Sequence, residues 1–188
     1  GDPTSTISWG APAGPTDQSG YVFTSNVPPP VGAEIPPSPT DWLYFGDFTH
    51  INYPVYPPSL DNVQLKLDID MTVDGDLTSE SFVYFFDHLE TPNTGTILQN
   101  RDIVQIFAPL SGAFEIDGTL YTLELRFSED GGVTTTNEFK TFENRDNMAA
   151  LYGRFTTDGV PSVPEPTTIL LLGFGLIGLV GYGRKKSK

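Results

Sequence analysis

The chain has 188 residues, 38% of them hydrophobic and 12% aromatic, with no cysteine. That apolar content suits one globular domain with a core of its own and is too high for a wholly disordered chain. Six Lys and Arg face 24 acidic residues over the first 166 positions, a formal charge of −18, which excludes nucleic-acid binding through phosphates, while the missing thiols exclude disulfides, thiolate zinc sites and a cysteine nucleophile.

Gly1 stands where a methionine would start a nascent chain. A leader removed earlier, a secretory signal peptide or a cloning tag, is the expected cause, and the C-terminus described below favours export. Ile7, Trp9 and residues 21–25 read as short early strands. Residues 27–39 and 53–59 are proline-rich and read as extended surface loops. Residues 63–73 carry the strongest pattern. Val63, Leu65, Leu67, Ile69, Met71 and Val73 alternate with polar residues, the period-two mark of a half-buried strand, and Asp74-Gly75-Asp76 supplies a turn.

Residues 81–86 (SFVYFF) are apolar on both faces and read as a central strand. Residues 102–107 form another, stopped by Pro109, and 119–127 alternate again. Residues 128–132 read as a turn and 133–142 as its return strand, and 147–151 (NMAAL) are the one short helix candidate. Strand, turn and strand at roughly ten-residue spacing predicts an all-β fold, an antiparallel sandwich or jelly roll over residues 1–155. Residues 156–166 then form a proline-containing tether.

From 167 to 182 the chain runs sixteen residues without a charge, TTILLLGFGLIGLVGY, followed by Gly183 and the basic Arg184, Lys185, Lys186 and Lys188. Such a helix spans roughly 24 Å against a hydrocarbon core of about 30 Å, and Tyr182 with snorkelling lysines extends its reach. Residues 167–183 are therefore expected to cross the inner membrane once. The basic residues 184–188 stay in the cytoplasm and the N-terminal domain lies in the periplasm or outside the cell. The alternative is a helix buried in the core. Gly173-Phe-Gly175-Leu-Ile-Gly178 has dinucleotide-binding spacing but lacks the strand, helix and distal acid that this fingerprint needs. Gly175, Gly178 and Gly181 mark instead a small-residue face for helix packing.

Val163-Pro164-Glu165-Pro166 stands just before the apolar run. Pro164, Glu165 and Pro166, a short apolar helix and a basic end, in that order, resemble the PEP-CTERM sorting signal. The resemblance implies a secreted protein of a Gram-negative bacterium that makes extracellular polysaccharide, handled by the membrane protease exosortase. The chemistry agrees, since the prolines hold the chain extended outside the bilayer and Pro166 can open the helix. Within the body, Thr49-His50-Ile51-Asn52, with Trp42 upstream and Glu90-Thr-Pro-Asn93 downstream, resembles the THxN family of PEP-CTERM proteins. That family brings no biochemical activity with it.

His50 and His88 are the only histidines, and Asp87 and Glu90 flank the second. If the two segments meet, His50, His88, Asp87 and Glu90 are candidate metal ligands. Thr49, His50 and Asn52 are read first as hydrogen-bonding residues that lock loops, so no metal is expected. Asp68, Asp70, Asp74 and Asp76 miss the calcium-loop spacing and read as a solvated face, as does 128–132. No GxSxG, HExxH or P-loop occurs. Trp42, Tyr44, Tyr53 and Tyr56 are candidates for stacking on sugar rings or a partner.

The function expected from these features is that of a non-catalytic, membrane-anchored exported protein in cell-envelope or biofilm-matrix assembly. It uses no cofactor, and its partners are the membrane and an exosortase-type protease. A periplasm-facing accessory subunit of a respiratory or photosynthetic membrane complex is the alternative, and a carbohydrate-binding module or hydrolase is a third reading.

Overall fold

The computed structural model describes residues 3–27, 42–73 and 76–157. These residues are all-β. Twelve antiparallel strands run in chain order: β1 (Thr4–Trp9), β2 (Ala11–Pro12), β3 (Ser19–Ser25), β4 (Leu43–Asn52), β5 (Val55–Tyr56), β6 (Asn62–Val73), β7 (Asp76–Leu89), β8 (Asp102–Ile106), β9 (Phe114–Ile116), β10 (Thr119–Ser128), β11 (Glu138–Thr141) and β12 (Arg145–Thr156). One curled sheet has the order β1-β3-β4-β12-β10-β9, a second has β11-β8-β7-β6, and β2 pairs with β5 apart from both. Among the described residues no helix is long and apolar enough to cross a membrane. The predicted membrane helix 167–183, the tether beyond Thr157 and the basic tail lie outside the described residues.

Local chemistry sets the registers. On β6 the odd-numbered residues from Val63 to Met71 turn inward and the even ones outward, so Leu67 reaches the core while Lys66, Asp68 and Asp70 stay exposed. On the neighbouring strand β7, Ser81 and Ser79 donate hydroxyl hydrogen bonds to Asp68 and Asp70, and Lys66 pairs with Asp68 at 2.7 Å. Asp117-Gly118 makes the β9–β10 hairpin. Both have positive φ, 49° and 78°, as a two-residue turn matching the twist of its strands requires.

The core lies between the two large sheets. Phe82, Tyr84 and Phe86 of β7 are fully buried and face Phe48 of β4 and Leu123 and Phe127 of β10. The Phe48 and Phe86 rings stack at 5.3 Å, and the Tyr84 hydroxyl crosses between sheets to donate to the Leu123 carbonyl at 2.5 Å. Burying a phenolic group without this acceptor costs several kcal/mol, so the bond fixes one sheet against the other.

Three expectations are corrected. Residues 147–151 are β-strand, part of β12. Buried Asn147, Ala149 and Leu151 alternate with exposed Met148 and half-buried Ala150, and hydrogen bonding to β4 and β10 on either side outweighs the helix preference of Met and Ala. The strand predicted at 133–142 shrinks to β11 and pairs with β8 of the other sheet, touching β10 through one bridge, Phe127 to Thr136. The Thr49–Asn52 tetrapeptide, read as a loop device, is the end of the ten-residue strand β4 in the middle of its sheet.

Gly46 explains how β4 bends. Leu151 of β12 lies opposite Gly46 and Tyr152 opposite Tyr44, so Phe45 is the extra residue of a bulge. Gly46 has φ 151°, and a Cβ there would crowd the Thr24 carbonyl and lie 2.9 Å from Ser25 Cα. Gly46→Ala is therefore expected to destabilise the fold by about 2–3 kcal/mol in urea denaturation. A change below about 0.5 kcal/mol contradicts the register.

Candidate functional site

The inward faces of four strands turn from apolar to polar at the same end of the core. On β4 the order is Phe48, His50, Asn52, and on β7 it is Phe86, His88. On β8, Asp102 precedes Val104 and Ile106, and on β11, Thr141 follows Phe139. Cross-strand pairing sets Thr141 beside Asp102 and His88 beside Val104. Period-two alternation thus delivers two polar side chains from β4 and one from each of the other strands to a single place. Residues 90–91, which follow β7, and Glu143 between β11 and β12 close it.

This cluster is deeply buried: His50, Asp102 and Thr141 are 0% exposed, Asn52 1% and His88 6%. His50 Nδ1 lies 2.8 Å from Thr141 Oγ1, and Asn52 Nδ2 donates to Asp102 Oδ2 at 2.8 Å. The other Asp102 oxygen accepts from the Thr91 amide at 2.8 Å and its hydroxyl at 3.2 Å. Tyr21 Oη and His88 Nδ1 are 2.5 Å apart, and His88 Nε2 meets Glu90 Oε2 at 3.1 Å. Trp9 stacks on His50 at 5.8 Å between ring centres and meets His88 edge-on at 5.3 Å, so the two imidazoles sit in an aromatic box.

Burial lowers the His50 pKa to about 3, with the nearby His88 acting in the same direction, so His50 is neutral at physiological pH. Burial raises the Asp102 carboxyl, against the lowering effect of the Thr91 amide. Glu143 rises to about 7, first through burial and then through the charges of Asp102 and Glu90. His50 Nε2, Asn52 Oδ1 and Trp9 Nε1 are enclosed without a hydrogen-bond partner.

The fold places the predicted residues that lie within the described part of the chain. Of the four candidate ligands it brings together His50, His88 and Glu90. Asp87 points to the opposite, exposed face of β7. Thr49 is half-buried on the other face of β4, away from His50 and Asn52. Asp102, Glu143, Tyr21 and Trp9 join the cluster without having been singled out in the sequence. Asp102 had a signal, since an acid stood at an inward position of an alternating strand, in step with Val104 and Ile106. Glu143 had none.

The other candidates are built differently. In the turn at 128–132, Asp130 accepts from the Ser128 hydroxyl and from the Thr134 hydroxyl and amide. The two Thr134 bonds lead in holding its carboxyl down at about 2. Trp42 is covered by the Arg154 guanidinium at 4.8 Å, Tyr44 packs on Tyr152 at 5.6 Å, and Tyr56 is exposed.

Residues 162–186 match the family model described as the PEP-CTERM protein-sorting motif. The chain carries a PEP-CTERM sorting signal. Such signals are recognised by exosortase, a membrane protein, and they mark proteins exported with a C-terminal membrane anchor. No curated protein matches the chain. The signal Pro164-Glu165-Pro166, the glycines Gly175, Gly178 and Gly181 expected to pack a helix, and the basic residues Arg184, Lys185, Lys186 and Lys188 all lie outside the described residues.

The two faces of the tetrapeptide carry different loads. Asn52→Ala removes the donor to a fully buried carboxylate and is expected to cost about 2–4 kcal/mol in urea denaturation. Thr49→Ala is expected to cost under about 1 kcal/mol. Equal losses contradict the burial of Asn52 against Asp102.

Proposed function

We propose that this chain is a non-catalytic exported protein of the cell envelope or extracellular matrix. Its β body is delivered to the outer side of the inner membrane and its C-terminal helix holds it there, with the basic end in the cytoplasm, until exosortase acts at the tail. The match of residues 162–186 to the sorting motif carries this reading. The composition supports it, since a body of formal charge −18 is soluble and self-repelling at the cell surface and four of the ten basic residues are gathered behind the apolar run. In the same reading the body is a member of the THxN group, and its tetrapeptide builds the protein interior.

The non-catalytic assignment rests on access. The polar cluster that offers imidazoles and carboxylates is closed to solvent at His50 and Asp102, whereas a catalytic group must reach its substrate. The hollow beside it, about 200 Å³, is lined by Ile7, Phe23, Phe48, Leu65 and Phe86 among others, and is small against the 300–1,000 Å³ of ordinary ligand pockets. Ser5, Thr6, Tyr21 and Gln64 are its polar lining residues, and none of its lining side chains is a carboxylate, an imidazole or a cation.

Intact mass of the full chain, made in a host with and without exosortase, tests the proposal. With the protease, the chain is expected to lose the apolar run and basic end, with the new terminus in or near 164–166. Without it, the full mass is expected in the membrane fraction. A Pro164→Ala, Glu165→Ala, Pro166→Ala triple variant is expected to stay unprocessed. Equal masses in both hosts overturn the proposal.

A further inference from the structure

We propose that the cluster between the sheets is a structural site for one divalent transition-metal ion of the zinc class, held by His50, His88, Asp102 and Glu90, with Glu143 beside it. One ring nitrogen each of His50 and His88 and one carboxylate oxygen of Asp102 lie within 4.8 Å of one another, and so do oxygens of Glu90, Asp102 and Glu143. Ligands around tetrahedral zinc stand about 3.4 Å apart, so closing either trio on an ion takes side-chain movements of roughly 1 Å; the trios share Asp102, and Glu90 Oε2 lies 3.1 Å from His88 Nε2.

An independent observation points the same way. His50 is fully buried, its Nδ1 is engaged by Thr141, and its Nε2 has no partner. Each arrangement of the Nδ1 bond leaves an enclosed ring nitrogen unsatisfied, a cost of about 1–3 kcal/mol. With Nδ1–H donating to Thr141 Oγ1, Nε2 keeps a bare lone pair inside the protein. That is the usual state of a metal-binding histidine, whose outer nitrogen donates to a fixed acceptor.

The supporting shell is in place for the other ligands. Asn52 and Thr91 hold Asp102 with three hydrogen bonds, which leaves room for one more partner among about four lone-pair sites. Tyr21 holds His88 Nδ1, and His88 Nε2 faces Glu90. With His88 Nδ1–H donating to Tyr21 Oη, Nε2 offers its lone pair to the ion beside the Glu90 carboxylate.

The charge balance also asks for a cation. Glu90, Asp102 and Glu143 converge, yet among the described residues their only ion-pair partner is His88, with Glu90. Arg101 and Arg145 are nearby but lie over the Phe142 ring. Two imidazoles with carboxylates suit zinc-class ions, whereas calcium and magnesium take all-oxygen shells. Closure of the site to solvent marks it as structural. This inference does not depend on the sorting reading.

The test uses the untagged full chain in detergent, stripped with chelator and titrated with Zn2+. One equivalent is expected to bind, and the thermal midpoint to rise by roughly 10 °C at a hundredfold excess over Kd and to fall back with EDTA. Ca2+ at the same concentration is expected to give no rise. Because the chain has two histidines and no cysteine, X-ray absorption at the zinc edge identifies the site without a substitution: two imidazole nitrogens plus oxygens at about 2.0–2.1 Å. An all-oxygen shell, or no stoichiometric binding, overturns the proposal. Glu90→Gln, at a half-buried position, is expected to keep the fold and weaken binding at least tenfold, while unchanged affinity removes Glu90 from the ligand set and contradicts the geometry.

Discussion

The structure depends on how a polar group can be enclosed inside an apolar core. Between the two sheets, phenylalanine, tyrosine and leucine fill most of the volume, but at one end two imidazoles, a carboxylate, an amide and a hydroxyl are buried together. Groups of this kind cost free energy wherever they lack a partner, and here all but a few atoms, His50 Nε2 and Asn52 Oδ1 among them, have one. Asn52, Thr91, Thr141 and Tyr21 supply those partners from separate strands and one loop. A one-residue slip of β4, β7 or β8 would turn His50, His88 or Asp102 out to solvent and put an unmatched side chain in its place. The cluster thus ties strand register to polar satisfaction in both sheets, just as the Tyr84 bond to Leu123 ties the sheets at the centre.

Much of this fold was legible in the sequence, and the exceptions have particular causes. The alternation of β6 and of β10 follows from one side of each strand facing the core, so period two shows directly. β7 was foreseen only at 81–86, where the residues are apolar on both faces, and it extends eight residues beyond that stretch. β4 was hidden because Gly46 and its bulge break the alternation after Phe45, and because a Thr-His-Asn run looks like turn chemistry until a sheet surrounds it. Residues 147–151 misled for the opposite reason: Met, Ala and Leu favour a helix locally, and only the neighbouring strands β4 and β10 supply the hydrogen bonds that override that preference.

The candidate site was half legible. His50 and His88 were recognisable as the chain's two histidines, with Glu90 as an acid beside the second, but their convergence depends on pairings between residues far apart in the chain, such as Thr141 with Asp102. Asp87 lies next to His88 in sequence and on the opposite face of its strand, which sequence proximity alone conceals. The sorting tail is legible for another reason. Its message is carried by local composition, two prolines, an uncharged apolar run and a basic end, and it needs no tertiary contact to be read. Body and tail therefore divide the chain between two kinds of information, long-range packing for one and linear chemistry for the other.

The central claim is that both histidines are sealed inside the protein. Diethylpyrocarbonate modifies accessible imidazoles, and this chain offers only His50 and His88 to it. Peptide mass mapping of the folded full chain near neutral pH is expected to show both residues protected, with rapid modification of both once the protein is unfolded in urea. Modification of His50 in the folded chain at the unfolded rate would contradict the buried cluster and the strand register built around it.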